Sequence, residues 1–384
     1  MALLPFRHFC LSALYCNMKF LIIQTAFIGD VVLATSLIEK LKQHYPDAVI
    51  DFLLRKGNET LLTNHPHLRQ VIILDKKDGK YKNLFSLIAK IRKEKYDYVI
   101  NLQRFFASGL LTTLSGGKHT IGFDKNPLSF LFSESIKHQI SITDLDNHEV
   151  KRNLSLIEKI TDNTFVKPKL YPTDADFKKV IPSGEYVCIA PASIWFTKQW
   201  PKEKWIDLIH KLPDHLTIYL MGAKSDVALC DEIIAASVYP LLGGQGGNQP
   251  IVNRQSGIVY PLSGGQGEGT HSKLETRNSK LVNLSGQLSF LESAALMKNA
   301  RMNFVNDSAP LHFASAVNAP VAAMYCSTVP AFGFGPLSDI SYVFETEEKL
   351  DCRPCGLHGY TSCPKGHFKC SDIDTDNIIS RIFP

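Results

Sequence analysis

Residues 19–41 read KFLIIQTAFIGDVVLATSLIEKL, and their pattern decides the fold. Lys19–Ile23 is a short apolar run that ends in a glycine-containing loop, which is how a buried parallel strand reads. From about Val31 to His44 the period lengthens. Val32, Leu33, Ser36, Leu37, Lys40 and Leu41 trace one helical face. A strand that passes through a tight turn into a helix is the first half of a βαβ unit.

The rhythm continues outward from there. Strands are expected at Val49–Leu54, Val71–Leu74 and Tyr98–Leu102, with helices near Asn58–Asn64 and over Leu84–Lys93. Asn147–Thr161 reads as a helix and Pro168–Pro182 as a linker. The pattern then restarts. Tyr186–Ala190, Thr217–Met221, Met302–Val305 and Val321–Tyr325 are expected strands. Lys202–Leu212, Asp226–Ala236, Ser289–Asn299 and Pro310–Ala316 are expected helices. Strands and helices alternating at this spacing mean parallel sheets. The chain therefore reads as α/β, two Rossmann-like domains in tandem with a site in the cleft between them. The expected boundaries are 18–165 for the first domain, 185–345 for the second, and 346–384 for a cysteine-containing tail.

Composition agrees with two ordinary globular domains. The 384 residues exceed what one core usually organises. Hydrophobic residues make up 45% and charged residues 21%. The net charge of +5 is too small and too spread out for a nucleic-acid binder, but it is compatible with an anionic substrate or a loose membrane-surface encounter. No apolar stretch approaches the roughly 20 residues of a membrane-spanning helix. Residues 1–17 read as a disordered or non-native extension ahead of Met18, with a short signal peptide as the alternative. Residues 240–280 repeat a Pro-Leu-x-Gly-Gly-Gln-Gly pattern that cannot bury a core, so they read as a flexible surface insertion. Among nine cysteines, Cys188, Cys230 and Cys326 sit in apolar runs as buried free thiols, as in a reducing compartment.

Three segments occupy the carboxyl ends of expected strands, where open α/β sheets bind ligands. The first is Gln24–Asp30. Gly29 permits close backbone approach, and Asp30 falls at the N-cap or first turn of a helix. Taken alone, Asp30 reads as an ordinary cap. The second is Pro191–Pro201, in which Ser193, Thr197 and Lys198 are donors and the lysine suits a phosphate. The third is Asn306–His312. It opens a helix with Pro310 in the first turn, and its N–H groups make a ready anion site. No G-x-G-x-x-G follows either first strand, which argues against a nicotinamide or flavin enzyme.

Together these segments resemble the bacterial heptosyltransferases of glycosyltransferase family 9, ADP-heptose:lipopolysaccharide transferases with the GT-B fold. The resemblance rests on IIQTAFIGDVVLATSLIEKLK, PAS…TKQWPKEKW, the GAKSD turn and NDSAPLHFASAVNAPVAAMY, in that order over most of Met18–Asp339. The C-terminal CRPCGLHGYTSCPKGHFKC resembles the tail of heptosyltransferase II-like members.

The resemblance implies inverting transfer from ADP-L-glycero-D-manno-heptose to the lipopolysaccharide inner core. It implies no cofactor and no metal, and work in the cytoplasm at the inner face of the membrane. Asp30 matches the general base, held ionised at a helix N-terminus and effective mainly through position. Lys198 matches the residue that neutralises the leaving diphosphate. Asp307, Ser308, Ala309 and His312 match the motif around the donor's phosphates and sugar, whose main-chain N–H groups hold developing charge.

Two departures stand out. Ala309 replaces a frequent glycine, so its methyl crowds the phosphate or requires negative φ. In GAKSD, Lys224 stands where some members place the ribose-binding acid, and Asp226 lies two residues on. On the acceptor side, Gly29 and Arg104, with Phe105, Phe106 and the basic stretch Lys118–Lys125, suit an anionic lipid-linked sugar; an ordinary exposed loop is the competing account. Cys352, Cys355, Cys363 and Cys370, with His358 and His367 nearby, have spacing that permits a tetrahedral zinc site. They are expected instead to be unbound thiols in a packed tail. Two other functions are compatible with the same residues: a family 9-like transferase with another donor or acceptor, and a nucleotide-sugar-binding GT-B protein without turnover.

Overall fold

The computed structural model describes residues 18–75, 80–141, 147–180, 182, 184–238, 252–253, 258–259 and 281–384. The expected extension 1–17 and the glycine-rich repeats of the expected insertion lie outside the described residues. By compactness the chain divides into two units, Met1–Gln139 with Glu149–Lys169, and Ile140–His148 with Leu170–Pro384.

The first unit is built on β1 (Lys19–Ile23), β2 (Val49–Arg55), β3 (Gln70–Leu74), β4 (Tyr98–Asn101), β5 (His119–Phe123) and β6 (Glu134–Ile136). Their order is β3-β2-β1-β4-β5-β6, every neighbour parallel. Four helices accompany them: α1 (Ile28–His44), α2 (Lys80–Glu94), α3 (Phe106–Thr113) and α4 (Glu149–Ser155). The chain moves outward from β1 to β3, then crosses to β4 and moves the other way. Right-handed crossovers must therefore put α1 on one face and α2 with α3 on the other. Leu21, Ile23, Leu53 and Val99 accordingly pack with Leu84, Leu87, Ile88, Ile91 and Leu111.

Helix α1 shows more than the single face read from its period. Every residue from Val31 to Leu41 is buried, because α4 covers the side away from the sheet. Lys40 is enclosed with the rest. Its ammonium is satisfied by Asp162 and by the Thr164 carbonyl and hydroxyl at 2.8 and 2.6 Å.

Several expectations need correction here. The helix near Asn58–Asn64 is only a 3-10 turn over Glu59–Leu61. The helix expected over Asn147–Thr161 stops at Ser155 and resumes as a 3-10 turn at Glu158–Ile160. The basic stretch Lys118–Lys125 is no exposed loop, since His119–Phe123 forms an internal strand buried from its second residue. Gly122 lets it pass, for a Cβ there would come within 2.6 Å of the Phe132 ring.

The second unit repeats the plan. Its strands are β7 (Tyr186–Ala190), β8 (Thr217–Leu220), β9 (Val252–Asn253), β10 (Ile258–Val259), β11 (Leu281–Asn283), β12 (Met302–Asn306), β13 (Val321–Tyr325) and β14 (Ser341–Glu345). The order β14-β13-β12-β7-β8-β11 is parallel throughout, and β10 and β9 extend the β11 edge antiparallel. The helices are α5 (Asp174–Lys179), α6 (Lys202–Lys211), α7 (Val227–Val238), α8 (Phe290–Lys298), α9 (Ala309–Ala316) and α10 (Thr375–Ile382). The crossing from β11 to β12 again reverses the winding, so α6 with α7 and α8 with α9 take opposite faces. Trp200 and Trp205 meet edge to face at 4.8 Å in the α6 layer, and the Trp200 indole N–H donates to the Ser371 carbonyl at 2.9 Å.

Two segments set apart by sequence belong to this unit. Within Pro168–Pro182, Thr173 and Asp176 form a reciprocal capping box that starts α5, and α5 packs on α8. The tail 346–384 is not separate either. Ile373, Ile378 and Ile382 enter the core with Trp205 and Leu208, because α10 lies against α6.

Candidate active site

In both sheets the strand order reverses beside the first strand, between β1 and β4 and between β7 and β12. Loops leaving neighbouring strands in opposite directions open a crevice at that point.

In the first unit that crevice carries Asp30 and Arg104. Phe27 is the N-cap of α1 and makes no side-chain cap. Asp30 is thus the third helical residue, half-buried in the first turn, not the cap itself. Gly29 precedes it within the same turn. Two contacts fix the strand-end loops: Gln103 donates its amide to the Gln24 side chain, and Asn58 donates to the Ala26 carbonyl at 3.2 Å. Arg104 follows β4 and is exposed, its guanidinium 5.6 Å from the Phe105 ring centre. Phe27, Phe105 and Phe106 are each more than half exposed around these loops. Lys118 is occupied elsewhere, paired with Asp97 at 2.7 Å.

In the second unit Asn306 ends β12 and joins the two sides of the crevice. Its amide donates to the Pro191 carbonyl at 2.8 Å, and its oxygen accepts the Trp200 N–H at 3.0 Å. That junction brings Lys198, at the end of a 3-10 turn over Phe196–Lys198, to Asp307. The ammonium lies 2.7 Å from Asp307 Oδ2, with side chains 15% and 6% exposed. The Thr328 hydroxyl donates to the same oxygen at 2.7 Å. An ammonium has three donors, so Lys198 keeps donors for a second anion.

Asp307 therefore faces a lysine and not the helix it precedes. Ser308 is the N-cap of α9, yet its side chain makes no capping bond. Ala309 and Pro310 open the helix with negative φ, so alanine is accommodated there without strain. His312 is buried one turn on, tilted against Phe334 at 6.4 Å.

The remaining expected donor residues have structural partners. Ser193 turns its own loop, with its N–H to Gln199 Oε1 at 3.1 Å and its hydroxyl accepting from the Trp195 N–H at 3.4 Å. Thr197 is buried, and its hydroxyl is held by the Tyr360 N–H at 2.8 Å and the Ser327 hydroxyl at 3.0 Å. Asp226 caps its own turn, accepting from the Ala223 N–H at 2.8 Å and the Ser225 hydroxyl at 2.9 Å. Sequence reasoning put Asn306 at the head of the third segment without giving it a role, and it missed Thr328. A polar residue closing the apolar run MNFVN was the available signal for Asn306; nothing announced Thr328.

Cys188, Cys230 and Cys326 are buried free thiols, and burial raises each above its ordinary value. Cys352, Cys355, Cys363 and Cys370 line one cavity with Tyr360 and His367. Burial and neighbouring thiols push Cys370 up to about 11. At Cys363 burial is outweighed by N–H groups of Phe368, Lys365, Gly366 and His367, and the thiol falls below its usual range. Among the described residues no three His, Cys, Asp or Glu side chains are arranged to hold a metal ion, and no helix is long and apolar enough to cross a membrane.

The family model described as Glycosyltransferase family 9 (heptosyltransferase) matches residues 84–243 and 252–356. Lipopolysaccharide heptosyltransferase 3 of Escherichia coli is 26% identical over 319 residues, covering 79% of this chain and 82% of its own. Lipooligosaccharide heptosyltransferase 2 of Haemophilus influenzae is 25% identical over 334 residues, covering 84% and 87%. Among solved structures, E. coli ADP-heptose lps heptosyltransferase II aligns with a TM-score of 0.70 at 20% identity, over 95% of this chain and 97% of that one. E. coli heptosyltransferase WaaC with ADP aligns with a TM-score of 0.61 at 20% identity, over 85% and 92%. These structural likenesses carry the fold, two α/β units, each on a largely parallel sheet, of the GT-B type.

Proposed function

The chain belongs to glycosyltransferase family 9, and we propose that it moves heptose from ADP-L-glycero-D-manno-heptose to a sugar of the lipopolysaccharide inner core, at the cytoplasmic face of the membrane. The observation that carries the donor side is the Lys198–Asp307 pair at the β7–β12 crevice, beside the first turn of α9. A diphosphate there meets an ammonium with donors to spare and the positive end of a helix.

The acceptor hydroxyl attacks the anomeric carbon from the face opposite the diphosphate. The new glycosidic bond forms as the bond to the diphosphate oxygen breaks, so the configuration inverts and ADP leaves. Asp30 takes the hydroxyl proton. Lys198, with the first-turn N–H groups of α9, meets the charge that grows on the leaving oxygens. Asp307 orients the lysine and hydroxyls of the donor sugar. Gly29 and Arg104 serve the acceptor, Arg104 through its phosphate groups. The exposed Phe105 and Phe106, which follow Arg104 in the chain, suit the interface where a lipid-linked acceptor sits.

Mixing the purified protein with ADP-heptose and core-truncated lipopolysaccharide tests this reading. ADP release that depends on the acceptor is the expected result. Release only from another nucleotide sugar, or from none, overturns it.

A further inference from the structure

The C-terminal segment reaches back to the donor crevice through one residue. Arg353 lies between Cys352 and Cys355, with its side chain 13% exposed. Its Nε donates to the Cys326 carbonyl at 2.6 Å, and its Nη2 donates to the carbonyls of Tyr325 at 3.1 Å and Thr328 at 2.8 Å. The guanidinium also pairs with Glu345 on β14. Those carbonyls are the last of β13 and the turn that follows it. The Cys355 N–H adds a bond to the Ser327 carbonyl at 2.9 Å. The Cys326–Thr328 turn is thus gripped at every residue by the segment 353–355.

The other side of that turn faces the donor residues. Thr328 donates to Asp307, which holds the Lys198 ammonium. Ser327 donates twice to Thr197, by its hydroxyl to the threonine hydroxyl at 3.0 Å and by its N–H to the Thr197 carbonyl at 3.1 Å. Lys198 follows Thr197 directly, so the turn steadies the lysine at its head through Asp307 and at its root through Thr197. Gly359 closes the set, since a Cβ there would come within 2.9 Å of the Lys198 stem.

We propose that Arg353 is a positioning residue of the donor site, which fixes the Cys326–Thr328 turn so that Thr328 and Asp307 hold the Lys198 ammonium where the diphosphate charge grows. The proposal rests on the reading of Lys198 as the diphosphate lysine. Arginine is needed because its planar head satisfies several carbonyls and a carboxylate together; a lysine ammonium is a point charge and cannot reproduce that spread. The effect on chemistry comes through misplacement of Lys198, for which small displacements are costly in rate.

A double-mutant cycle tests it, with wild type, Arg353→Lys, Lys198→Ala and the pair, each followed by transfer rate, ADP binding by calorimetry and unfolding. Arg353→Lys is expected to lower kcat about tenfold or more and to weaken ADP binding, with KM for the acceptor unchanged. In the Lys198→Ala background the same substitution is expected to change kcat less than about twofold, because both act through one group. An equal loss in both backgrounds, or no loss in either, overturns the proposal. Should Arg353→Lys fail to fold, Thr328→Val breaks the same chain one step later, and the same non-additivity is required of it. If wild type binds ADP and Arg353→Lys binds it equally well, the positioning role alone fails. If wild type neither binds ADP nor uses ADP-heptose, the donor reading fails and the proposal falls with it.

Discussion

Asp307→Asn removes one charge from the buried pair while keeping the side chain's shape. The asparagine oxygen can still accept from Thr328, but Lys198 loses the carboxylate 2.7 Å away. Breaking a fully buried pair costs about 3–5 kcal/mol, because it strands the other charge. An exposed pair is worth about 1 kcal/mol or less. Lys198 lies between these limits, with 15% of its side chain exposed, so its ammonium can recover some hydration. The expected loss is about 2–3 kcal/mol. For a folding unit of this size, 1 kcal/mol moves Tm by about 2–4 °C, which puts the variant about 4–12 °C below wild type. ADP should narrow that gap. It brings an anionic partner for the stranded ammonium, and it carries no sugar for Asp307 to hold. Its binding also stabilises the folded state by mass action. Thermal and urea unfolding, each with and without saturating ADP, measure both effects. A loss below about 0.5 kcal/mol would show that the pair carries little energy. A gap that ADP leaves untouched would falsify the meeting of Lys198 with the diphosphate.

Three further outcomes are expected. Asp30→Asn should lower kcat by about 10²–10⁴-fold, the usual contribution of a positioned base, with ADP affinity unchanged; a kcat within threefold of wild type removes Asp30 from proton transfer. His65 is pushed down to about 3, first by burial and then by the neighbouring His67. It is neutral when folded and titrates near 6.5 when unfolded, so its contribution is complete above pH 6.5 and is lost as the pH falls toward 3, by at most about 1.4 kcal/mol per pH unit. Urea titrations from pH 7 to 5 should therefore slope downward in wild type and more gently in His65→Gln; equal slopes refute the assignment. Finally, brief alkylation near neutral pH followed by mass mapping should find Cys363 modified before Cys355 and Cys370, with Cys188, Cys230 and Cys326 labelled only on unfolding. Early labelling of Cys188 would contradict its place in the core.

The parts of the fold that were legible are those where the period of a short stretch fixes the element. KFLII followed by a glycine turn and a helix gave β1 and α1, and YVCIA with KEKWIDLIHK gave β7 and α6. Where the signal is shorter, it failed. HTIGF carries a glycine that only the overlying Phe132 explains. The capping pair Thr173 and Asp176 is a local signature of α5 that stood inside a stretch read as linker. Ile378 and Ile382 look like any apolar spacing until α6 is present for them to pack on.

The candidate site divides along the same line. The sequence picked out strand ends, because those depend only on the alternation of strands and helices; the strand order that marks a crevice appears only in the folded sheets. Alternation cannot rank the residues found there, which depends on partners distant in sequence. Arg353 reads mostly main-chain carbonyls, and a carbonyl leaves no trace in the identity of the residue that carries it. Thr197 and Lys198 make the point at closest range. Both were read as donors at a strand end, the lysine suited to a phosphate. In a 3-10 turn successive side chains diverge by about 120°, so when the turn sends Lys198 to Asp307 it must send Thr197 elsewhere. Here that direction is inward, to Ser327 and the Tyr360 backbone. Adjacent residues of similar hydrogen-bonding capacity thus take different parts, one facing the charge and the other holding the turn that aims it.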